Sequence, residues 1–516
     1  MTILVVSDLA AIGVVQDADP TLLPPNAWTR VKNIRFADGS VQKFPGHSSI
    51  ATPTVSPYYL LPVTKAADAY WVYCGLDKVY SYDGTTHANI TRQTTGADVD
   101  YTGTAANLWT GGVLNGVLVL SNGVDDPQMW VSAKLASLQW DSGNTWAAKG
   151  YTAFTLRPYR NFLVALGWSD GSNDYPQTVY WSNQADPLTV PSDWDYADPA
   201  NDAGISELAA TNGYLLDAEP LRDSLMIYKE DAIHRMTYAG GAFVMNFADV
   251  SRTTGALGKR CAKEFFGKHF VLGNDDLIVH DGQSIESVAL KKVRRAVFSS
   301  IDQTNYGKAY VVRNLGRSEM WVCYPETGAT DCNIAAVWNW RDGTWSWREI
   351  PAARHIGYGI AFESSDASTW NADAESWDSD TTTWASRAFN PSAQMLLAAN
   401  DADIHLLDFT TQFDGADIDS YCERDGIVLD NIETVKMVRR IYPRATGGPM
   451  RVSIGSRAAP NAGVQWEGPY TFTPGTDHKI EVRSTGRLHA IKFQFDGDTA
   501  CTLEGYDLEY VQVGER

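Results

Sequence analysis

HFVLGNDDLIVHDG, residues 269–282, is two short apolar runs joined by an Asn-Asp-Asp turn, with Phe270, Val271 and Leu272 on one side and Leu277, Ile278 and Val279 on the other. Branched and aromatic residues suit a pleated, half-buried surface, while Asn, Asp and Gly supply the turn, so the stretch reads as a hairpin. The same module recurs as YWVYCGLDKVYSYDG (70–84), GVLVLSNGV (116–124), NFLVALGWSDG (161–171) with TVYWSN (178–183), and SLMIYKEDAIHRMTY (224–238). Further copies are AYVVRNLGRSEMWVCY (309–324) and MLLAANDADIHLLDF (395–409). Turns near Asp77, Asn122, Asp170, Asp231, Asp275 and Gly316 lie 45, 48, 61, 44 and 41 residues apart. That spacing is close to one four-stranded propeller blade, and radial repetition lets each small sheet bury its faces against its neighbours. The sequence therefore predicts an all-β chain built on an irregular β-propeller of six or seven blades. A string of unrelated sandwiches is the alternative and predicts less regular turns.

Working outward, residues 61–419 form the predicted propeller, interrupted at 364–390 by a Trp-rich insertion. There Trp370, Trp377 and Trp384 recur every seven residues among Asp, Ser, Thr and Asn, which are poor helix formers. An ordered loop pinned by indoles is expected. After about residue 420 the pattern changes to evenly spaced strands (433–445, 450–457, 478–486, 488–497 and 503–513), with Ile491, Phe493 and Phe495 alternating against Lys492, Gln494 and Asp496. Residues 420–516 are accordingly expected to be a C-terminal β-sandwich. Residues 1–60 read as an N-terminal arm that docks elsewhere, with a short helix at 24–33 and a tight hairpin at Asp38-Gly39.

Length and composition fit this reading. A chain of 516 residues exceeds one ordinary core, and 44% hydrophobic residues with 18 Trp, 24 Tyr and 17 Phe exclude a largely disordered polypeptide. A formal charge of −20 argues against a protein whose main task is gripping nucleic acid, because that needs clustered Lys and Arg. No uncharged apolar run is long enough to span a membrane. Met1–Gln16 lacks a basic start and is broken by Asp8, so it reads as part of the mature fold. Cys74, Cys261, Cys323, Cys332, Cys422 and Cys501 show neither a disulfide framework nor zinc-knuckle spacing, and point to synthesis in a reducing cytoplasm.

The sequence assigns no catalytic residue, no cofactor and no metal ligand. It lacks a phosphate-binding loop, a dinucleotide fingerprint, a nucleophile elbow and a helical zinc motif. His280 and Asp281 are adjacent on a strand end and face opposite ways, while His234 and His405 read as packed strand residues. The acidic turns Asn274-Asp275-Asp276 and Asp401-Ala402-Asp403 do not supply the oxygens calcium requires. Two basic stretches, Lys291, Lys292, Arg294, Arg295 and Lys436, Arg439, Arg440, Arg444, are candidates for contact with acidic neighbouring subunits.

Three groups of residues resemble the tail nozzle, or tail tubular protein B, family of short-tailed bacteriophages, which includes related tail stabilisation proteins. They are the N-terminal set Gly13, Asp17, Leu23, Pro24, Trp28, Asn33, Arg35, Asp38, Gly39, Pro45 and Gly46; the central pair MWVCYP (320–325) and AAVWNWRDGTWSWREIP (335–351); and the ending 486–516. The resemblance implies a non-enzymatic virion protein made in the host cytoplasm. It would form a sixfold homo-oligomeric ring below the tail adaptor, contact tail fibres or tip proteins, and continue the channel through which double-stranded DNA leaves. Two other readings are a carbohydrate-binding or glycoside-hydrolysing propeller, suggested by aromatic residues and turn aspartates, and a tail hub or receptor-binding subunit.

Overall fold

In the computed structural model, residues 2–65, 68–241, 243–360 and 394–514 are described. Trp370, Trp377 and Trp384 lie outside the described residues. Seven four-stranded antiparallel sheets follow one another among the described residues. Six are continuous in sequence, at 59–89, 110–137, 152–207, 215–251, 262–287 and 310–353, and the first strand of each is innermost. The seventh is composite: His355–Ile360, Gln394–Ala399 and Ile404–Leu407 are completed on the outside by His47–Ala51. Innermost strands pack in order around the ring, with His355–Ile360 of blade 7 against Tyr59–Lys65 of blade 1. The protein is an all-β, seven-bladed propeller whose ring is closed by a strand from the N-terminal region.

The turn residues explain the repeat. Asp77, Asn122, Asp170, Asp231 and Asp275 all fall between the second and third strands of blades 1 to 5. Gly316 does not. It lies between the first and second strands of blade 6, where Leu315–Arg317 makes a short 3-10 turn ended by Ser318 at φ 56°. That bend mimics the hairpin signal, while the equivalent blade 6 turn at 325–331 is longer and has no Asn-Gly or Asp-Gly pair. Apolar clusters lie between successive blades. Val72, Trp109 and Leu118 join blades 1 and 2; Leu156, Leu163 and Trp146 serve blades 2 and 3; Leu397 and Trp71 join blade 7 to blade 1.

Residues 1–60 are not a separate arm. Thr2–Ser7 pairs with Cys501–Gly514, the hairpin Ile34–Ala37/Ser40–Lys43 adds to the same sheet, and Arg30–Lys32 pairs with Ser420–Val428. These strands complete a sandwich of one six-stranded and one five-stranded sheet. Asp38 at φ 51° and Gly39 at φ 75° form the tight turn between Ala37 and Ser40. The helix expected at 24–33 is absent. Only Pro20–Leu22 makes a 3-10 turn, and Arg30–Lys32 is a strand because its backbone finds a partner in Ser420–Val428. Ser420–Val428 and Gln465–Phe472 are sandwich strands that the sequence pattern missed. Ile491, Phe493 and Phe495 are buried, with Lys492 and Gln494 half-buried.

The sandwich core is continuous with that of blades 4 to 6. Trp28, Phe493, Leu508 and Val452 join Phe270, Val311 and Trp345 in one buried cluster. All six cysteines are free and buried.

Candidate functional site: the junction of propeller and sandwich

The N-terminal segment reaches the outer edge of blade 6, strand Thr344–Ala353. Val14 N donates to Trp345 O at 3.1 Å, and Asn33 N donates to Trp347 O at 2.9 Å. Gly13, at φ +74°, lies so close that a Cβ there would sit 2.8 Å from Thr344 Cβ. Asn33, itself left-handed at φ 52°, donates from Nδ2 to Glu349 Oε2 at 2.8 Å and accepts from Glu349 N at 2.8 Å.

A buried charge cluster lies beneath these contacts. Arg35 of the sandwich donates through Nε and Nη2 to Glu319 of blade 6 at 2.6 and 3.0 Å, and Nη2 reaches Asp408 Oδ2 at 2.5 Å. Arg348 of blade 6 pairs with the other oxygen of Asp408. Trp321 Nε1 donates to Glu319 Oε2 at 3.0 Å, and the Arg35 guanidinium lies 4.4 Å from the Phe44 ring centre. Two cations meet two carboxylates, so the burial penalty is met within the group. Burial alone would raise the Asp408 carboxyl, but Arg35 and Arg348 outweigh it and hold it below the ordinary aspartate range.

The propeller axis is filled. Arg157 of blade 3 makes a bidentate pair with Asp217 of blade 4, at 2.6 and 2.9 Å, and donates to Gly111 O of blade 2 at 2.6 Å. Asp217 also accepts from Arg260 N, just before blade 5, at 2.7 Å. The Arg260 guanidinium sits 5.7 Å from the Tyr59 ring of blade 1 and 5.9 Å from the Tyr310 ring of blade 6. His355 of blade 7 closes the circuit against both tyrosines, with ring centres 4.7 and 5.3 Å away. Residues of six blades and Arg260, from the segment leading into blade 5, thus meet around the axis.

The basic stretches have different surroundings. Lys292 Nζ donates to Gly343 O at 2.7 Å, Arg294 pairs with Asp275 at 3.3 Å, and Arg295 N donates to Asp17 Oδ2 at 2.7 Å. This stretch binds its own N-terminal segment and the neighbouring turn; exposed Lys291 forms no ion pair among the described residues. Lys436 is buried, and its Nζ has no hydrogen-bond partner among the described residues. Arg440 pairs with Glu509 and Glu481, and Arg444 with Asp507 at 2.6 Å. Arg439 sits at a bulge, exposed, and has no ion pair among the described residues. With exposed Arg483 it borders a surface groove of about 500 Å³ that also holds Glu467 and Glu481.

The histidines form ordered polar networks. Gly282 N donates to His280 Nδ1, which places the His280 proton on Nε2 toward Tyr228; Tyr228 Oη in turn faces His269 Nδ1 at 2.5 Å, and His269 Nε2 faces Pro220 O at 2.9 Å. Burial pushes His280 down to about 3, so the relay is neutral. Asp281 turns away and caps Gln283 N and Ser284 N. His234 lies between Asp249 and Thr211, at 2.8 and 2.9 Å, but Thr211 Oγ1 already accepts from Lys229 and is buried. This is a satisfied structural network. The acidic turns are engaged by protein donors: Ser287 and Leu277 N on Asp276, Ser56 on Asp401, and Ser49 and Thr52 on Asp403.

One cluster was not legible in the sequence. His47, His405 and Asp414 offer ligand atoms that all lie within 4.8 Å of one another. His47 is separated from the other two by almost the whole propeller, so only ring closure brings it to them.

No family model matches the chain, and no curated protein matches it. Among solved structures it is similar to BBS1N, determined in complex with ARL6DN, at 8% identity over 71% of this chain and 96% of that one, with a TM-score of 0.36. It is also similar to PorZ, a surface component of the type-IX secretion system of Porphyromonas gingivalis, at 8% identity and a TM-score of 0.36; the match covers 83% of this chain and 55% of PorZ. The propeller architecture stands on the sheet order and the closed circuit of innermost strands.

Proposed function

We propose that the chain is a structural subunit of the tail nozzle of a short-tailed bacteriophage, one of six around a channel for DNA ejection below the tail adaptor. The observation that carries this reading is the junction. Gly13, Asn33 and Arg35 of the N-terminal family-like set meet Trp345, Trp347, Arg348 and Glu349 of the central family-like stretch directly or through Asp408. Part of the residues behind the resemblance thus lock sandwich to propeller, as a channel wall under load requires.

Because the bore of each propeller is filled, the channel in this proposal lies between subunits and not along a propeller axis. A duplex carries one negative charge per roughly 1.7 Å of axis, so a basic lining would retain it. Subunits of charge −20 present a lining that leaves the genome mobile. Contacts with the adaptor, with neighbouring subunits and with fibre or tip proteins fall to sandwich edges such as the Arg439–Arg483 groove.

The test is complementation of a phage lacking the chain with Arg439→Glu/Arg483→Glu. Normal folding with tails lacking the subunit supports the proposal. Wild-type particle yield removes the interface role. Saturable glycan binding or hydrolysis by the purified chain favours the carbohydrate-active reading, and density at the tail tip favours the hub.

A further inference from the structure

We propose that His47, His405 and Asp414 bind one divalent transition-metal ion, with zinc the best fit, and that this ion clasps the seam where the propeller ring closes.

Strand register places the two imidazoles together. His47 opens the closing strand His47–Ala51 opposite Leu407, and His405 lies two residues from Leu407 on the same strand. The two histidines are therefore diagonal neighbours on one face of the blade 7 sheet. Their rings meet edge to face with centres 5.3 Å apart, and Phe413 stacks on His47 at 4.4 Å. Asp414 comes from the connection leading to the sandwich. Its backbone N donates to His47 O at 2.9 Å, and its Oδ1 accepts from Ser49 N at 2.9 Å. These contacts fix the carboxylate and leave Oδ2 facing both rings.

His405 Nε2 lies 3.1 Å from Asp414 Oδ2, and His47 Nε2 lies 3.4 Å from the same oxygen. Two ligands at about 2.0 to 2.1 Å from a tetrahedral zinc are roughly 3.3 Å apart. The observed separations straddle that edge length. Both rings are buried, at 5% and 3% exposure, their Nδ1 atoms have no hydrogen-bond partner among the described residues, and each turns its Nε2 toward Asp414.

Two imidazoles and one carboxylate suit zinc and neighbouring first-row ions, whereas calcium and magnesium need more oxygens than are present. The Asp414 side chain is 43% exposed, which gives an ion a path in and a water the fourth position. Bound there, the ion would tie together the N-terminal closing strand, blade 7 and the connection to the sandwich. Opening the ring would then require breaking metal bonds as well as strand pairing.

The test uses the untagged full chain after chelation and dialysis, titrated with Co²⁺ and then Zn²⁺. Expected are one ion per chain, visible absorption typical of tetrahedral Co²⁺ that Zn²⁺ displaces, and a rise in thermal midpoint that chelator reverses. His405→Gln should weaken binding by at least about 100-fold, more than the loss typical of a supporting outer-sphere residue. Asp414→Asn changes a partly exposed group and serves as the variant that keeps its fold. Failure of the wild-type chain to bind either ion at one equivalent overturns the proposal, as does equal binding by folded Asp414→Asn.

Discussion

Arg35 and Glu319 stand 284 positions apart in the chain and form a bidentate pair at 2.6 and 3.0 Å, both side chains buried. Arg35 belongs to a hairpin of the sandwich and Glu319 to blade 6, so the pair pins one body to the other. Removing the guanidinium leaves buried Glu319 with the Trp321 indole but no cation, and Asp408 with Arg348 as its one cation among the described residues. Arg35→Ala is expected to lower stability by about 3–5 kcal/mol, as broken buried pairs do. Arg35→Lys keeps the charge but loses the two-pronged geometry and should recover only part of it. Urea unfolding followed by Trp fluorescence measures both; a loss below about 1 kcal/mol for Arg35→Ala would show that the cluster does not hold the junction.

Acid should weaken the protein in two stages. Burial holds His280 near 3 and His489 near 4 in the native state, against an ordinary histidine value of 6.5. Between 6.5 and those values the unfolded chain binds protons that the native chain does not, so stability falls as pH falls through this window. His280→Gln should flatten that slope. Below 3.8 the depressed carboxyls of Asp217 and Asp408 add a second loss, because the unfolded state protonates first. Chemical denaturation midpoints at a series of pH values test both stages.

Tyr228 is the centre of the relay between blades 4 and 5. Tyr228→Phe keeps the ring but leaves His269 Nδ1 and His280 Nε2 buried without their shared partner. A loss of about 1–3 kcal/mol is expected, read as a lower urea midpoint at pH 7. An unchanged midpoint would mean that other groups satisfy the two imidazoles.

Gly46 lies where the chain passes from sandwich to closing strand, and a Cβ there would sit 1.8 Å from Gln412 O. Backbone must move to admit it. Gly46→Ala is expected to cost more than about 1 kcal/mol and to increase proteolysis at the blade 7 seam. Wild-type protease resistance would contradict this.

The six thiols should be silent in the native protein, since burial raises the pKa of each. A thiol reagent is expected to titrate none without denaturant and all six with it.

The propeller was legible because hairpin chemistry recurs locally: Asn274, Asp275 and Asp276 sit between apolar runs that pair with each other. Blade 7 was legible only in part: its hairpin at 395–409 was read, but its outermost strand is HSSIA at 47–51, more than 300 residues before its partner. Among the N-terminal strands the Asp38-Gly39 hairpin was legible and the others were hidden. Arg30–Lys32 has no strand pattern of its own and is extended because Ser420–Val428 offers it a ladder. Long-range pairing leaves little trace in a local window. Basic residues were recognised as charged stretches, but the sequence did not show which face of the strand turns inward: Lys436 lies on the buried face and Arg439, three residues on, on the exposed one. His47, His405 and Asp414 illustrate the same limit: two lie nine positions apart, and the third arrives only through closure.

Cryo-electron microscopy of virions made by the genome that encodes this chain tests the central claim most directly. The account predicts six copies below the adaptor, each a seven-bladed propeller joined to its sandwich as described, enclosing an acidic channel between subunits. Virions that lack the chain, or a ring whose lumen is basic, would contradict it.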